Sequence, residues 1–255
     1  MKSVVAPWLR PPESLTCDRS AAHVWRAALD VPSSHVRRLS RVLSLAELER
    51  GERFWFPRDR ERYIVARAVL KSVLGRYLGV GPGEIRFEHT PYGKPGVEGE
   101  GGRNGLRFSI SHAPGLALYA VSRGREIGVD VERLRGVVGG LGVAERFFSS
   151  REVAMLRQLP AEMYTEAFLA CWTRNEAYLK ARGVGFLGMR PGEPGETSGW
   201  TVQNLSPGPG YVGALAAEGN DWRLFCWDWP GGLPGVDWPI CRQDSRSEAV
   251  LNGAS

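Results

Sequence analysis

The sequence predicts an α+β protein made of two α+β halves of similar topology that meet near residues 123–126. Helical and strand-like segments occur in the order helix, helix, strands, and this order then repeats once. Segregated helices and strands are typical of α+β proteins rather than of a parallel α/β sheet. A chain of 255 residues can form one large domain or two of ordinary size. We expect an N-terminal half at 1–125, a C-terminal half at 126–230 and a polar tail at 231–255.

Two helices are predicted in the N-terminal half. Ser44 and Glu47 have the spacing of a capping box at the start of a helix that ends before Pro57. From Asp59 to Leu78, apolar residues recur at helical spacing and predict a second, longer helix. Two amphipathic helices before the first strands give this half a helical layer.

The strands of the N-terminal half follow these helices, apart from a short one expected near Val24. The segment at 85–88 is strand-like, and residues 106–122 predict a hairpin around His112 and the next three residues. A turn at 123–125 then separates the two halves.

The C-terminal half begins with a β-branched strand at 127–132. Helices are predicted at 144–158 and 161–182. Three further strands complete the half, at 200–205, 211–217 and 222–229.

Composition excludes several classes of protein. Apolar runs all fall well short of a membrane span, and the first seven residues carry too little apolar character for a secretory signal. The four cysteines have no CxxC spacing, which argues against a zinc site and predicts reduced thiols in a cytoplasmic protein. We therefore expect a cytoplasmic protein that does not enter a membrane.

Charge is distributed unevenly along the chain. Residues 1–125 hold 21 lysines and arginines against 12 acidic residues, a charge of +9, whereas residues 126–255 hold 12 against 16, a charge of −4. A basic half next to an acidic half suits a polyanionic ligand that also needs a metal, although nucleic acid would explain the basic half equally well.

Asp130 and Glu132 are the most informative residues of the sequence. Side chains alternate along a strand, so these two carboxylates point to the same face. Adjacent carboxylates repel each other unless a cation lies between them, and oxygen ligands of this kind suit Mg²⁺ together with substrate phosphates. The alternative is a strand that leaves the core and has its acids in solvent.

Glu176 is the third acid of interest. It shares a helix face with Phe168 and Trp172 at four-residue spacing. A glutamate in line with aromatic residues is costly to bury unless a cation neutralises it. A metal shared with Asp130 and Glu132 would do so, whereas the alternative is a common i,i+4 pair between Glu176 and Lys180 at the boundary of the core.

Five segments together resemble the Sfp-type 4′-phosphopantetheinyl transferases. Residues 128–132 are similar to the family's GVDVE strand, and 172–180 to its helix of the form W-(S/T)-x-K-E-(A/S)-x-x-K. Residues 147–152 resemble the FFS-x-x-E block, 93–95 the GKP turn and 108–112 the F-N-x-SH motif. The segments occur in order and at matching spacing over residues 40–230.

The resemblance implies an enzyme that moves the phosphopantetheine arm of coenzyme A onto a serine of an apo acyl or peptidyl carrier protein and releases 3′,5′-ADP. It implies a monomer with its ligand cleft between the two halves. By the same resemblance, Mg²⁺ is held by Asp130, Glu132 and Glu176, and Mn²⁺ remains an alternative. Glu176, directly or through a water, would accept the serine proton, and Lys180 would neutralise phosphate charge.

The coenzyme A contacts are also implied by the resemblance. They are Lys94, Ser111 and His112, with Arg50 and Arg67 as further contacts to the 3′-phosphate and ribose. Without the resemblance, His112 would be interpreted as a solvated histidine in a turn.

One position departs from the family pattern. Asn175 stands where the family usually has lysine, and its neighbour Arg174 points about 100° away around the helix. A cationic contact to phosphate is therefore expected to be missing.

Two other functions remain open at this point. A basic nucleic-acid-binding module without catalysis would use Arg58, Arg60 and Arg62, but it gives no role to the three acids. A metal-dependent coenzyme A hydrolase would use the same acids with water in place of serine.

Overall fold

Six α-helices and ten strands make up the part of the chain that the computed structural model describes, residues 6–89, 94–99, 105–135, 140–184 and 198–230. The helices are α1 (Ser33–Leu39), α2 (Leu45–Glu52), α3 (Pro57–Leu78), α4 (Leu141–Phe147), α5 (Ser150–Gln158) and α6 (Ala161–Arg182). The strands are β1 (Trp8–Leu9), β2 (Ala21–Ala28), β3 (Phe87–His89), β4 (Pro95–Val97), β5 (Leu106–Ala113), β6 (Leu116–Arg123), β7 (Ile127–Arg133), β8 (Trp200–Leu205), β9 (Tyr211–Glu218) and β10 (Arg223–Asp228). The α+β class predicted from the sequence is confirmed.

Helices α2 and α3 begin where local chemistry favours a helix start. The Ser44 side chain accepts a hydrogen bond from the Glu47 backbone N–H, and the Glu47 carboxylate accepts one from the Ser44 backbone N–H, so the predicted capping box is present. Helix α3 has Pro57 in its first turn and ends at Gly79, whose positive φ of 69° suits a residue without a β-carbon. Between these two ends, α3 is 22 residues long and packs its buried face against the larger sheet.

The larger sheet has five strands in the order β1-β10-β2-β6-β5. Alternate residues of its strands enter different cores: Trp25 and Tyr119 pack against α3, whereas Val24 and Leu118 pack toward the smaller sheet. Trp25 and Tyr119 have no exposed surface. The sheet therefore has apolar residues on both faces and separates two cores.

The smaller sheet has three antiparallel strands in the order β7-β9-β8. Its β9 residues Leu215 and Ala217 pack toward the larger sheet, while Ala214 and Ala216 pack against Ala177 and its neighbours on α6. The layers are thus helices, large sheet, small sheet and α6. This order puts α6 directly on the strand that carries Asp130.

Serine hydroxyls join β5 to β7 where the two sheets meet. The Val129 backbone N–H donates to the Ser109 hydroxyl at 3.1 Å, and the Val131 N–H donates to the Ser111 hydroxyl at 3.4 Å. These bonds satisfy backbone groups that would otherwise be buried without partners. They also set the position of β7 along β5.

The division into halves is less simple than the sequence pattern indicates. Strand β10 follows residue 125 in the chain, yet it pairs in parallel with β1 and β2 of the larger sheet. The strands that follow residue 125 are therefore divided between the two sheets, with β10 in the larger one and the others in the smaller one. The similar topology of the two halves stays a prediction.

Several elements differ from the sequence prediction at their ends. Strand β2 covers eight residues rather than a short stretch around Val24, and helix α1 was not predicted. The helix predicted at 144–158 is two helices, since Phe148 is extended and Ser149 caps α5 with Glu152. His112 lies within β5 and pairs with Ala117, so it is not in the turn itself. The predicted tail at 231–255 lies outside the described residues.

In the described ranges, no helix combines the length and apolar character needed to cross a membrane.

Candidate active site

A cavity of about 770 Å³ opens between α2, α3, the end of β5, β7 and α6. Eight of the nine predicted site residues line it: Arg50, Arg67, Ser111, His112, Asp130, Glu132, Glu176 and Lys180. The ninth, Lys94, does not, although its neighbour Pro95 does. Residues that are up to 130 positions apart in sequence therefore share one cavity.

Asp130 is held by a buried polar cluster. Its Oδ1 lies 2.6 Å from Lys180 Nζ and accepts a hydrogen bond from the Ser111 hydroxyl at 2.7 Å. Lys180 also donates to Ser111 at 3.0 Å. Asp130 is only 4% exposed, so the alternative of acids in solvent is wrong for this residue. A pair with Glu176 alone also does not account for Lys180, because the Lys180 ammonium binds the Asp130 carboxylate on β7.

Glu132 and Glu176 complete the acidic side of the cavity. Burial and the nearby charge of Asp130 raise the pKa of Glu132 above its ordinary value. Burial, followed by the charges of Asp130 and Glu132, raises the pKa of Glu176 to about 7, although Lys180 opposes the shift. The ionised forms of Glu132 and Glu176 are thus disfavoured, and a nearby cation would stabilise them.

Two carboxylate oxygens fit a hard cation. Asp130 Oδ2 and Glu176 Oε1 are buried and have no hydrogen-bond partner in the described residues. Over the same ranges, no group of three or more acidic, histidine or cysteine side chains is arranged to hold a metal ion. Magnesium often takes only one or two carboxylates, with waters and substrate phosphates as its other ligands, so these two oxygens suffice for a site of that kind.

His112 lies on the cavity wall beside the acids. His112 is exposed at the cavity wall, yet desolvation by the surrounding protein and the charge of Lys180 lower the pKa of its ring below the ordinary value. The imidazole is therefore neutral near pH 7, with a donor on one nitrogen and an acceptor on the other. It can bind a phosphate oxygen through one hydrogen bond.

Arginines of α2 and α3 supply positive charge to the cavity, and they are called its basic side here. Arg50 is exposed on the last turn of α2. The Nε atom of Arg67 lies 2.7 Å from Glu47 Oε1, and its guanidinium lies 3.8 Å from the centre of the Phe87 ring. Glu47 also binds the fully buried Lys71 at 3.0 Å. The position of Arg67 is thus held by both an ion pair and an aromatic ring.

Lys94 makes contacts of a different kind. Its ammonium lies 2.6 Å from Glu126 Oε2 and donates to the Ala181 carbonyl at 2.8 Å. Neither partner lines the cavity. The phosphate contact implied for Lys94 stays a prediction.

Sequence reasoning missed several side chains that line the cavity, among them Phe54, Asp59, Arg62 and Tyr63. Tyr63 and Arg67 are four residues apart on α3 and so share a face with Ala66, which also lines the cavity. The four-residue spacing of Tyr63 from Arg67, a predicted contact, could therefore have identified Tyr63 from the sequence. Trp172, named only for its helical spacing, is a lining residue as well.

The arginines of the nucleic-acid hypothesis are engaged in ion pairs. Arg58 and Arg62 both bind Asp30, at 2.9 Å and 2.7 Å, and Arg60 pairs with Glu52. These partners reduce the free positive charge of the surface on which that hypothesis depends.

Asn175 does not line the cavity. Its amide donates to the Cys171 carbonyl at 3.0 Å, one helical turn earlier in α6. Its neighbour Arg174 binds Glu152 of α5 at 2.7 Å. The departure from the family pattern at this position therefore lies outside the group of residues that share the cavity.

Comparison with known proteins identifies the class that this fold and site define. Residues 126–240 match the 4′-phosphopantetheinyl transferase superfamily, and residues 30–123 match the N-terminal part of a 4′-phosphopantetheinyl transferase. The two matches cover most of the chain. The protein belongs to the 4′-phosphopantetheinyl transferase superfamily.

Individual relatives support the Sfp type within that superfamily. The chain is 39% identical to the 4′-phosphopantetheinyl transferase HetI of Nostoc sp., over 86% of this chain and 97% of that protein. It is 34% identical to a putative 4′-phosphopantetheinyl transferase of Synechocystis sp., over 73% and 79%. It is 26% identical to the transferase Sfp of Bacillus subtilis, over 72% and 86%. The protein is an Sfp-type enzyme that transfers phosphopantetheine to carrier proteins.

Proposed function

We propose that Asp130 and Glu176, with Glu132 beside them in the same cavity, hold a magnesium ion while this enzyme moves phosphopantetheine from coenzyme A to a serine of an apo acyl or peptidyl carrier protein, with release of 3′,5′-ADP. The observation that carries the proposal is the shared cavity of these acids, in which Asp130 Oδ2 and Glu176 Oε1 are buried without a protein partner. Buried carboxylate oxygens normally have a hydrogen-bond donor or a cation beside them.

The donor molecule would span the cavity from its basic to its acidic side. Arg50 and Arg67 line the cavity and would bind the 3′-phosphate and ribose, and Arg67 is already oriented by Glu47 and Phe87. Ser111 and His112, which also line the cavity, are assigned to the remaining phosphates, and the Ser111 hydroxyl would turn from Asp130 to the phosphate to do so. Guanidinium groups suit phosphate because their donors match its oxygens in pairs.

The metal would neutralise charge on the pyrophosphate, which is the main requirement of phosphoryl-type transfer. Mn²⁺ would serve the same carboxylates. The acidic side chains fit either ion, because both prefer oxygen ligands.

The bond changes are a single exchange at phosphorus. The serine oxygen of the carrier forms a bond to the phosphorus next to the pantetheine arm, and the bond from that phosphorus to the 3′,5′-ADP oxygen breaks. Glu176, directly or through a water, takes the serine proton. Lys180, held by Asp130 and Ser111, would neutralise the charge that develops on the leaving phosphate.

Other features remain proposals that follow from the sequence. We propose a monomer in the cytoplasm, with no requirement for nucleic acid or membrane.

The test is to incubate the protein with coenzyme A, Mg²⁺ and an apo carrier protein, and to measure the mass of the carrier. We expect the carrier to gain one phosphopantetheine and an equal amount of 3′,5′-ADP to appear. Addition of a chelator should stop the reaction, and Mg²⁺ or Mn²⁺ should restore it. A reaction that is unaffected by chelator would contradict the metal proposal.

Two controls separate the other functions. Release of 3′,5′-ADP at the same rate without carrier would indicate a coenzyme A hydrolase. Glu166→Gln changes an exposed acid on the same helix as Glu176 and should leave the rate unchanged, whereas Glu176→Gln should abolish it.

A further inference from the structure

Lys94 connects parts of the chain that are far apart in sequence. It precedes β4, and its ammonium is bonded to the Glu126 carboxylate and to the Ala181 carbonyl. The Lys94 side chain is only 16% exposed. The side chain therefore gives up most of its contact with water for defined partners, which restrict its conformation.

The contact with Ala181 acts on the end of α6. The last four carbonyls of a helix have no partner within the helix, and positive charge near that end is favourable. Lys94 supplies both a donor and a positive charge to the last turn, which contains Lys180. A β-carbon on Gly183, the helix cap, would lie 3.3 Å from Lys94 Cδ, so the lysine stem packs on the cap as well.

The contact with Glu126 adds two strands to this connection. Glu126 immediately precedes β7, and its other oxygen accepts a hydrogen bond from Arg107 of β5 at 2.9 Å. Burial raises the pKa of Glu126, but the hydrogen bonds and charges of Lys94 and Arg107 outweigh burial and keep the pKa below its ordinary value. The carboxylate is therefore ionised and binds both cations.

The same three elements are joined a second time at the acidic side of the cavity. This second connection consists of Ser111 of β5, Asp130 of β7 and Lys180 of α6. Ser111 lies four residues after Arg107, Asp130 lies four residues after Glu126, and Lys180 lies one residue before Ala181. Rotation or sliding of the last turn of α6 would break both connections. The contacts of Lys94 thus bear directly on where Lys180 is placed.

We propose that Lys94 and Glu126 are a positioning pair that holds the last turn of α6, and with it Lys180, against β7. The proposal rests on the proposed function for its kinetic consequence. Displacement of a reacting group by about 1 Å can cost roughly a hundredfold in rate, so loss of the pair is expected to slow the chemical step.

The first test needs no activity. Hydrogen exchange of the amides of residues 183 and 184, which bond back to Leu179 and Lys180, is compared in the wild type, Lys94→Met and Glu126→Gln. Both substitutions should speed exchange several-fold, with Lys94→Met the larger effect because glutamine can still accept a hydrogen bond. Unchanged exchange in both variants would overturn the proposal.

The second test separates positioning from ligand binding. With apo carrier in excess, both variants should lower kcat about tenfold or more and leave the KM for coenzyme A within about twofold. If Lys94 binds phosphate, Lys94→Met will instead raise that KM about tenfold or more, while Glu126→Gln will leave it equal or lower. That pattern would overturn the proposal.

Arg157→Gln is the matched control. It breaks an exposed ion pair between Arg157 and Glu145 that is also 2.6 Å long but involves only α4 and α5. Neither exchange at the end of α6 nor the kinetic constants should change. If the wild type modifies no carrier, the proposed function fails, while the hydrogen-exchange result still decides whether Lys94 and Glu126 position α6.

Discussion

Gly128 on β7 lies in direct contact with the backbone of Ala181 on α6. A β-carbon on Gly128 would lie 2.9 Å from Ala181 Cα, and it would overlap the Ala181 nitrogen and the Ala177 carbonyl oxygen still more closely. The glycine of the GVDVE segment is therefore what allows α6 to pack flat against β7. This contact brings the helix that carries Glu176 to the strand that carries Asp130.

Gly128→Ala is expected to destabilise the protein and to remove activity. The added methyl group meets backbone atoms, which cannot move aside as a side chain can, so α6 must shift away from β7. Overpacking of a core typically costs about 1–3 kcal/mol, and backbone overlap places this variant at or above the upper end. Urea unfolding measures the change. Gly83→Ala, where an added β-carbon meets no atom within 4 Å, should change stability by less than about 0.5 kcal/mol.

Glu176→Gln is expected to abolish transfer and to stabilise the metal-free protein above pH 7. The folded protein raises the pKa of Glu176 from 4.5 to about 7, so folding disfavours the charged form. The penalty is absent below pH 4.5, grows as pH rises and is complete above 7. Its size is on the order of 3 kcal/mol at 1.36 kcal/mol per pKa unit. Urea unfolding with a chelator at pH 8 and pH 4.5 measures the difference, and lower stability of the variant at pH 8 would contradict this expectation.

Asp130→Asn should differ from Glu176→Gln although both remove an acid from the same cavity. Asp130 is the charged partner of Lys180, and asparagine replaces that ion pair with a weaker hydrogen bond. We expect loss of activity in both variants, but a loss of about 1–2 kcal/mol in stability only in Asp130→Asn. Equal changes in the free energy of unfolding of the two variants would mean that the ion pair between Asp130 and Lys180 does not stabilise the protein.

Glu47→Gln should weaken the protein at neutral pH and much less in acid. Burial raises the pKa of Glu47, but hydrogen bonds from Ser44, Arg67 and Lys71 outweigh it and lower the pKa from 4.5 to about 2. The ionised carboxylate therefore contributes its full stabilisation above pH 4.5 and loses it as pH falls toward 2, about 3 kcal/mol in all. Unfolding of both proteins at pH 7 and pH 3 measures the gap, which should shrink in acid. Glu49→Gln, on the exposed face of the same helix, is the control.

Asn175→Lys should leave the affinity for coenzyme A unchanged. A restored phosphate contact would be worth about 1.5–3 kcal/mol, or roughly tenfold or more in Kd. No such gain is expected, because Asn175 bonds to its own helix and does not line the cavity. Calorimetric titration with coenzyme A at low and moderate salt measures the affinity. Tighter binding that weakens with added salt would contradict the expectation, and Arg67→Gln, which removes a cavity cation, should weaken binding.

Local patterns in the sequence were enough for much of the candidate site. Strand alternation put Asp130 and Glu132 on one face, and four-residue spacing put Trp172, Glu176 and Lys180 on one helix face. All five side chains line the same cavity. The Ser44–Glu47 capping box was predictable for the same reason, since both partners lie within one helical turn. The resemblance in five segments then indicated the chemistry that these residues perform.

Other contacts depend on how distant elements pack, and no periodicity encodes them. Nothing local indicates that β10 inserts between β1 and β2, or that Lys94 meets Glu126 and Ala181. Likewise, Asn175 could be identified as a departure from a motif, but only the fold shows that its amide bonds to Cys171. The sequence by itself determined which side chains carry the chemistry, through short-range geometry. The tertiary structure decided their partners, because the energy of a buried charge depends on the groups that packing brings within hydrogen-bonding distance.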